Sequence, residues 1–158
     1  MDIRRIAIVG AGVIGASWAA FYLTQGFDVV ATDPAPQADT RLRDALAAFL
    51  GDRAAELSAR LSFDADLVRA LDGVDFVQEN GPERLDLKRE LYRQMDDVLP
   101  AHVPIASSSS GLKMSDIQTA CDKHPERCLI AHPFNPPHLI PLVELVGGDA
   151  TGQEVIAR

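Results

Sequence analysis

The chain has 158 residues, of which 47% are hydrophobic and 24% charged, and its net charge is −8. That length suits one domain with one good core, and the composition is that of a soluble globular protein rather than a disordered or fibrous one. No cluster of Lys or Arg exists to neutralise phosphates, which excludes a nucleic-acid partner. No apolar run reaches membrane-spanning length, so no membrane partner is expected.

Met1-Asp2-Ile3-Arg4-Arg5 leads straight into an apolar strand, leaving no room for a signal peptide, and a cytoplasmic protein is expected. Ile3 to Val9 reads as a strand, and Val13 to Gln25 as a helix ended by Gly26. Phe27 to Thr32 is a second strand, followed by helix from Gln37 to Leu61 and again from Ala65 to Leu71. Val74 to Gln78 is strand-like, Glu83 to Val98 a strongly amphipathic helix, Val103 to Ser107 a short strand and Met114 to Cys121 a helix. Arg127 to Ala131 and Leu142 to Val146 make the last strands, before helix-like Gln153 to Ala157. The βαβα alternation implies an α/β, doubly wound and mostly parallel sheet of Rossmann type, covered by helices on both faces.

Gly10-Ala11-Gly12-Val13-Ile14-Gly15 follows a strand and opens a helix. In that context Gly10 permits a tight turn, Gly12 lets the backbone approach a pyrophosphate, and Gly15 lets helix pack on strand. The N–H groups at Val13 and Ile14 and the positive end of the helix dipole then face the phosphates. Asp33, 18 residues after Gly15 at the end of the second strand, suits the hydroxyls of an adenosine ribose. Its charge would repel a 2′-phosphate, and no Arg or Lys lies between Asp33 and Thr40, so NAD is expected over NADP. FAD is the alternative dinucleotide.

A second constellation lies in the other half. Ala131-His132-Pro133-Phe134-Asn135-Pro136-Pro137 follows an apolar strand, which puts a histidine and an amide at the ligand-binding edge of the sheet. Glu144 interrupts Leu142-Val143-Glu144-Leu145-Val146, a run otherwise apolar on both faces, so a buried carboxylate there would need a partner such as His132. The pair would orient an imidazole that removes a hydroxyl proton. The alternative is an edge-strand glutamate facing solvent and a histidine that caps a strand. His102, His124 and His138 read as ordinary surface residues, and no third ligand at a useful spacing supports a metal. Cys121 and Cys128 fit neither a metal knuckle nor a redox pair and read as reduced structural thiols. In Ser107-Ser108-Ser109-Ser110-Gly111 at least one hydroxyl is expected to cap a helix. Taken alone, Glu83 is a helix N-terminal acid and Lys88 a solvated base.

With these residues assembled, the chain resembles the NAD-binding domain of the 3-hydroxyacyl-CoA dehydrogenase family over essentially its whole length. Within that family it looks most like the lambda-crystallin branch, which includes L-gulonate 3-dehydrogenase, and the related L-carnitine dehydrogenases. The resemblance rests on Gln78-Glu79 with Pro82 to Lys88, on the serine run, and on Ala131 to Pro137 continuing through Pro141 to Val146. It implies oxidation of a 3-hydroxyl with NAD, His132 as catalytic base, Glu144 as its orienting partner and Ser110 at the substrate hydroxyl. It also implies that Glu83, Lys88, Ser110 and Asn135 line the nicotinamide side. Family members carry a C-terminal helical domain that supplies a catalytic Asn, closes the cleft and forms a dimer. Residues 1–158 are therefore expected to be the N-terminal NAD-binding half of a two-domain, homodimeric enzyme. Acyl-CoA members have a lysine-rich hairpin after the second strand, whereas residues 34–87 here contain no lysine, which favours a hydroxy acid over a CoA thioester. The remaining alternatives are a 3-hydroxyacyl-CoA dehydrogenase of fatty acid metabolism and a non-catalytic NAD-binding or crystallin-like module.

Overall fold

A computed structural model describes residues 2–157. The first strand, β1 (Arg5–Val9), is followed by helix α1 (Val13–Thr24) and by β2 (Asp28–Thr32). Ile6 to Val9 are all buried, because side chains alternate between two covered faces. Ala7 and Val9 face a core shared with Tyr92 and Met95, whereas Ile8 packs with Ala16, Ala20 and Leu23 of α1. Each buried Ile or Val contributes roughly 1.5–3 kcal/mol, so a strand buried on both faces is strongly held.

Helix α2 (Ala38–Leu50) buries Leu42 and Leu46, one turn apart, and ends where Gly51 takes φ +53°. The sequence reading carried this helix to Leu61. Instead a short helix α3 (Ala54–Leu57), flanked by single tight turns, leads to a strand β3 (Leu61–Phe63) that pairs in parallel with β2. Three residues are too few to show an alternating pattern against the helix-favouring Ala54 to Arg60.

After α4 (Leu67–Ala70) the chain crosses to the other side of β1 and continues through β4 (Phe76–Glu79), α5 (Leu85–Val98) and β5 (Ile105–Ser107). Then come α6 (Met114–Ile117), β6 (Cys128–Pro133), β7 (Val143–Gly147) and α7 (Gln153–Ile156). The strand order is β3-β2-β1-β4-β5-β6-β7, parallel except for the β6–β7 pair. That pair breaks the expected βαβα alternation: no helix joins β6 to β7, and β7 runs antiparallel at the edge. The crevice where the winding reverses, beyond the C-terminal ends of β1 and β4, is where open α/β sheets bind ligands.

At the opposite end of the sheet, Arg127 is buried and bonds Asp96 at 2.7 Å, as well as the carbonyl oxygens of Leu99 and Pro100. The Asp96 carboxylate also accepts from the backbone N–H groups of Lys123 and His124, so this ion pair ties the end of α5 to the start of β6. Cys121 and Cys128 are free and buried, with their sulfurs 3.7 Å apart. Their mutual hydrogen bond and burial push the Cys128 thiol up, which suits an inert core group. Among the described residues no helix is long and apolar enough to cross a membrane.

Candidate active site

The glycine loop is shaped by its neighbours. Gly10 adopts φ +91°, and a Cβ there would stand 2.8 Å from the carbonyl oxygen of Asn80 beyond β4. A Cβ on Gly15 would lie 1.9 Å from the carbonyl oxygen of Gly10. Nothing lies within 4 Å of the corresponding position at Gly12. The first two glycines are thus required by protein packing, whereas Gly12 faces open space at the mouth of the crevice. No side chain caps the N-terminus of α1, so its leading N–H groups at Val13 and Ile14 remain available to an anion. These features fit a pyrophosphate.

Asp33 serves the loop as well as the crevice. Its Oδ2 accepts from Ala11 N at 2.9 Å and its Oδ1 from Ala35 N at 2.8 Å, fixing the loop to the end of β2. Each oxygen keeps acceptor capacity for a ribose hydroxyl. A cleft of about 800 Å³ is lined by Gly10, Gly12, Asp33, Asn80, Pro82 and Lys88 among others.

Lys88 is not solvated. It is 1% exposed, and its Nζ lies 2.8 and 2.9 Å from the two carboxylate oxygens of the fully buried Glu79, and 3.2 Å from the carbonyl oxygen of Gly81. Ser107 Oγ donates to the same carboxylate at 2.6 Å. The amphipathic pattern of α5 hid this pairing because Lys88 occupies its buried face beside Tyr92, whose phenol burial pushes well up.

None of the serines caps α6: the capping position before it is Lys113, whose side chain makes no cap hydrogen bond. Polar groups on the loop after β4 compete for them instead. Ser108 Oγ donates to Asn80 Oδ1 at 2.7 Å and accepts from Gln78 and Trp18. Glu83 lies ahead of α5 rather than in its first turn, and its Oε1 accepts from Ser109 Oγ at 2.7 Å, Ser110 N at 3.1 Å and Gly111 N at 2.7 Å. Burial raises the Glu83 carboxyl, but these hydrogen bonds and the Lys88 charge outweigh it and hold the group below its usual value.

Across the serine loop is a second cleft of about 400 Å³, which includes Ser110, Lys113, His132 and Glu144 in its lining. His132 and Glu144 are directly opposed in the β6–β7 ladder, and His132 Nδ1 lies 2.9 Å from Glu144 Oε2. The expected pairing is present, but burial is not its reason: the Glu144 side chain is 61% exposed on an edge strand whose Leu145 and Val146 are also exposed. With Nδ1 directed at the carboxylate, Nε2 is the imidazole nitrogen left to exchange a proton.

Asn135 is exposed just beyond β6 and lines neither cleft. His138, expected on the surface, is half-buried. Its Nδ1 is 2.7 Å from Ser17 Oγ, its backbone N–H donates to the same oxygen at 3.1 Å, and its ring stacks on Phe49. These contacts fasten the loop between β6 and β7 to α1 and α2. No sequence signal local to His138 points to a partner 121 residues away. Among the described residues no group of His, Cys, Asp and Glu side chains could hold a metal ion.

Residues 5–158 match the family described as 3-hydroxyacyl-CoA dehydrogenase, NAD binding domain. The chain is 46% identical to an L-carnitine dehydrogenase of Streptomyces coelicolor, an alignment covering 99% of this chain and 51% of that protein. It is 44% identical to an L-carnitine dehydrogenase of Pseudomonas aeruginosa, over 98% of this chain and 50% of that one. Among solved structures, 3-hydroxybutyryl-CoA dehydrogenase from Escherichia coli superposes with a TM-score of 0.93 at 30% identity, covering 99% of this chain and 35% of that one. The chain thus spans about half the length of the curated relatives it matches. It belongs to the 3-hydroxyacyl-CoA dehydrogenase family, of which it comprises the NAD-binding domain.

Proposed function

We propose that this chain is the N-terminal, NAD-binding half of a two-domain dehydrogenase that oxidises the 3-hydroxyl of a small hydroxy acid or its derivative. The observation that carries the reading is the His132–Glu144 pair, 2.9 Å apart beside the serine loop at the ligand edge of the sheet.

In this reading Gly10 and Gly15 shape the loop, Gly12 and the N–H groups of Val13 and Ile14 hold the pyrophosphate, and Asp33 holds the adenosine ribose. NAD supplies a hydride acceptor when bound. His132 takes the hydroxyl proton through Nε2, while Glu144 fixes the tautomer and offsets the charge that develops on the ring. Ser110 contacts the substrate hydroxyl, and Glu83 holds Ser110 in place through its backbone N–H. Glu83 and Ser110 lie on the nicotinamide side, and Asn135, on the exposed loop beyond β6 and outside both clefts, reaches it only once the cleft is closed over. Lys88 contributes there by anchoring Glu79 and the Gly81 carbonyl, since its ammonium is committed to them.

The paired histidine speaks for catalysis over a non-catalytic module. The relatives named L-carnitine dehydrogenase and the lysine-free stretch 34–87 favour a free hydroxy acid over a CoA thioester. Phe134, Leu139, Ile140, Leu142, Leu145 and Val146 expose apolar surface around β7, which supports a cleft closed by further protein and a homodimeric enzyme. A cytoplasmic location suits the two free buried thiols.

The test is NADH formation by the full-length protein that carries this chain, with L-carnitine, other free 3-hydroxy acids and a 3-hydroxyacyl-CoA as substrates. Turnover of free acids with NAD and little with NADP is expected. No turnover of any 3-hydroxy compound would overturn the reading.

A further inference from the structure

Three lysines occur in the chain, at positions 88, 113 and 123. Lys88 is neutralised by Glu79 and Lys123 pairs with Asp97 at 3.0 Å. Lys113 is different: among the described residues its ammonium has no hydrogen bond or ion pair, and it is the one Lys or Arg lining the cleft that holds His132 and Glu144.

Its backbone, by contrast, is held firmly. Leu112 N donates to Ser109 Oγ at 3.1 Å, Ser109 is itself bound to Glu83, and the Lys113 carbonyl accepts from Asp116 and Ile117. An unpaired, exposed cation therefore stands on a fixed base in the wall that faces β6 and β7.

We propose that Lys113 is a specificity-determining residue that holds the free carboxylate of the substrate while His132 acts on its hydroxyl, an inference that rests on the function proposed above. The protein's net charge of −8 disfavours an anionic substrate everywhere except at an unpaired cation. Glu144 repels a carboxylate from the opposite wall of the cleft, so the acid group belongs toward Lys113 and the hydroxyl toward His132. A volume of about 400 Å³ on this wall of the site leaves room for a short hydroxy acid between Lys113 and His132. The substrate class is thus a short 3-hydroxy acid with a free, ionised carboxylate.

The experiment uses the full-length protein with saturating NAD and three probes: 3-hydroxybutyrate, its methyl ester and 3-hydroxybutyryl-CoA. The CoA thioester separates recognition of a carboxylate from recognition of the coenzyme phosphates. Losing a charge-assisted contact to a remote group raises KM more than it lowers kcat. Lys113→Met is expected to raise the ratio of the acid KM to the ester KM by about tenfold to a hundredfold, with Lys113→Arg restoring most of it. Calorimetric binding of 3-hydroxybutyrate to the NAD-loaded protein gives a readout independent of turnover. Acid binding lost in Lys113→Met supports the site even where the wild-type protein turns over no 3-hydroxy compound, L-carnitine included, an outcome that overturns the proposed function alone. Equal effects on acid and ester, a loss confined to the CoA thioester, or no binding of the acid by the wild-type protein would overturn the role of Lys113.

Discussion

His132 and Glu144 are register partners in the only antiparallel ladder of the described sheet, so the strand pairing that closes the sheet edge also sets the 2.9 Å contact between imidazole and carboxylate. The two side chains should therefore act as one unit. In the full-length protein His132→Ala is expected to lower kcat by roughly 10²–10⁴-fold. Glu144→Gln should also lower kcat, by leaving the ring without its anionic partner, and the double variant should lose little more than His132→Ala alone. Steady-state kinetics of the three variants check this, and multiplicative losses would show that the residues act separately.

The buried pair of Lys88 and Glu79 should matter for stability. Both side chains are excluded from water, so Lys88→Met leaves a carboxylate buried without its counter-ion, a change that costs about 3–5 kcal/mol. Glu79→Gln combined with Lys88→Met removes both charges and should recover part of that loss. Urea unfolding of the chain measures it, and a single-variant cost below ~1 kcal/mol would mean that Glu79 is satisfied by the Ser107 hydroxyl and the backbone N–H of Gly81, which also donates to it, alone.

Glu83 gives a pH-dependent signal. Its folded carboxyl is held below the usual 4.5, so its contribution to the serine loop is fully present above that value and is lost as pH falls through the folded value. The amide resonances of Ser110 and Gly111, both donors to Glu83, should titrate together with a midpoint below 4.5. In Glu83→Gln that titration should vanish. A midpoint at or above 4.5 would show that burial dominates.

The parts of this site that could be read in the sequence are the local ones. Gly10 to Gly15 and Asp33 announce themselves because each answers a backbone need set within one βαβ unit. His132 and Glu144 were legible as a pair, although through a mistaken premise: the run around Glu144 looks doubly buried in sequence, yet β7 is an exposed edge. A signal for that was available, since Pro133, Pro136, Pro137 and Pro141 deny the helix that a parallel crossover would need, leaving an antiparallel return. The solvated reading of Lys88, the first-turn reading of Glu83 and the cap expected of a serine differ from the structure because their partners lie on another strand or loop, and a charged side chain reads as solvated until its counter-ion is placed. His138 and the three-residue β3 were missed for the same reason, tertiary contact overriding local pattern.

The glycine loop allows packing and ligand binding to be separated by two equally small changes. Gly15→Ala places a methyl 1.9 Å from the Gly10 carbonyl oxygen, a backbone atom that cannot move aside without shifting the turn, so it should destabilise the chain by at least about 1–3 kcal/mol. Gly12 has φ −68° and ψ −166°, an extended conformation open to alanine, and its Cβ would meet no protein atom within 4 Å. Gly12→Ala should therefore leave unfolding within about 0.5 kcal/mol of the parent, as surface substitutions usually do. The added methyl nevertheless occupies the approach needed by the pyrophosphate, so NAD affinity should fall by about tenfold or more, equivalent to ~1.4 kcal/mol. Urea unfolding and NAD calorimetry on both variants test the separation. If Gly12→Ala binds NAD as tightly as the parent, the pyrophosphate does not cross the loop at Gly12, and the assignment of α1's N-terminus as the phosphate site falls with it.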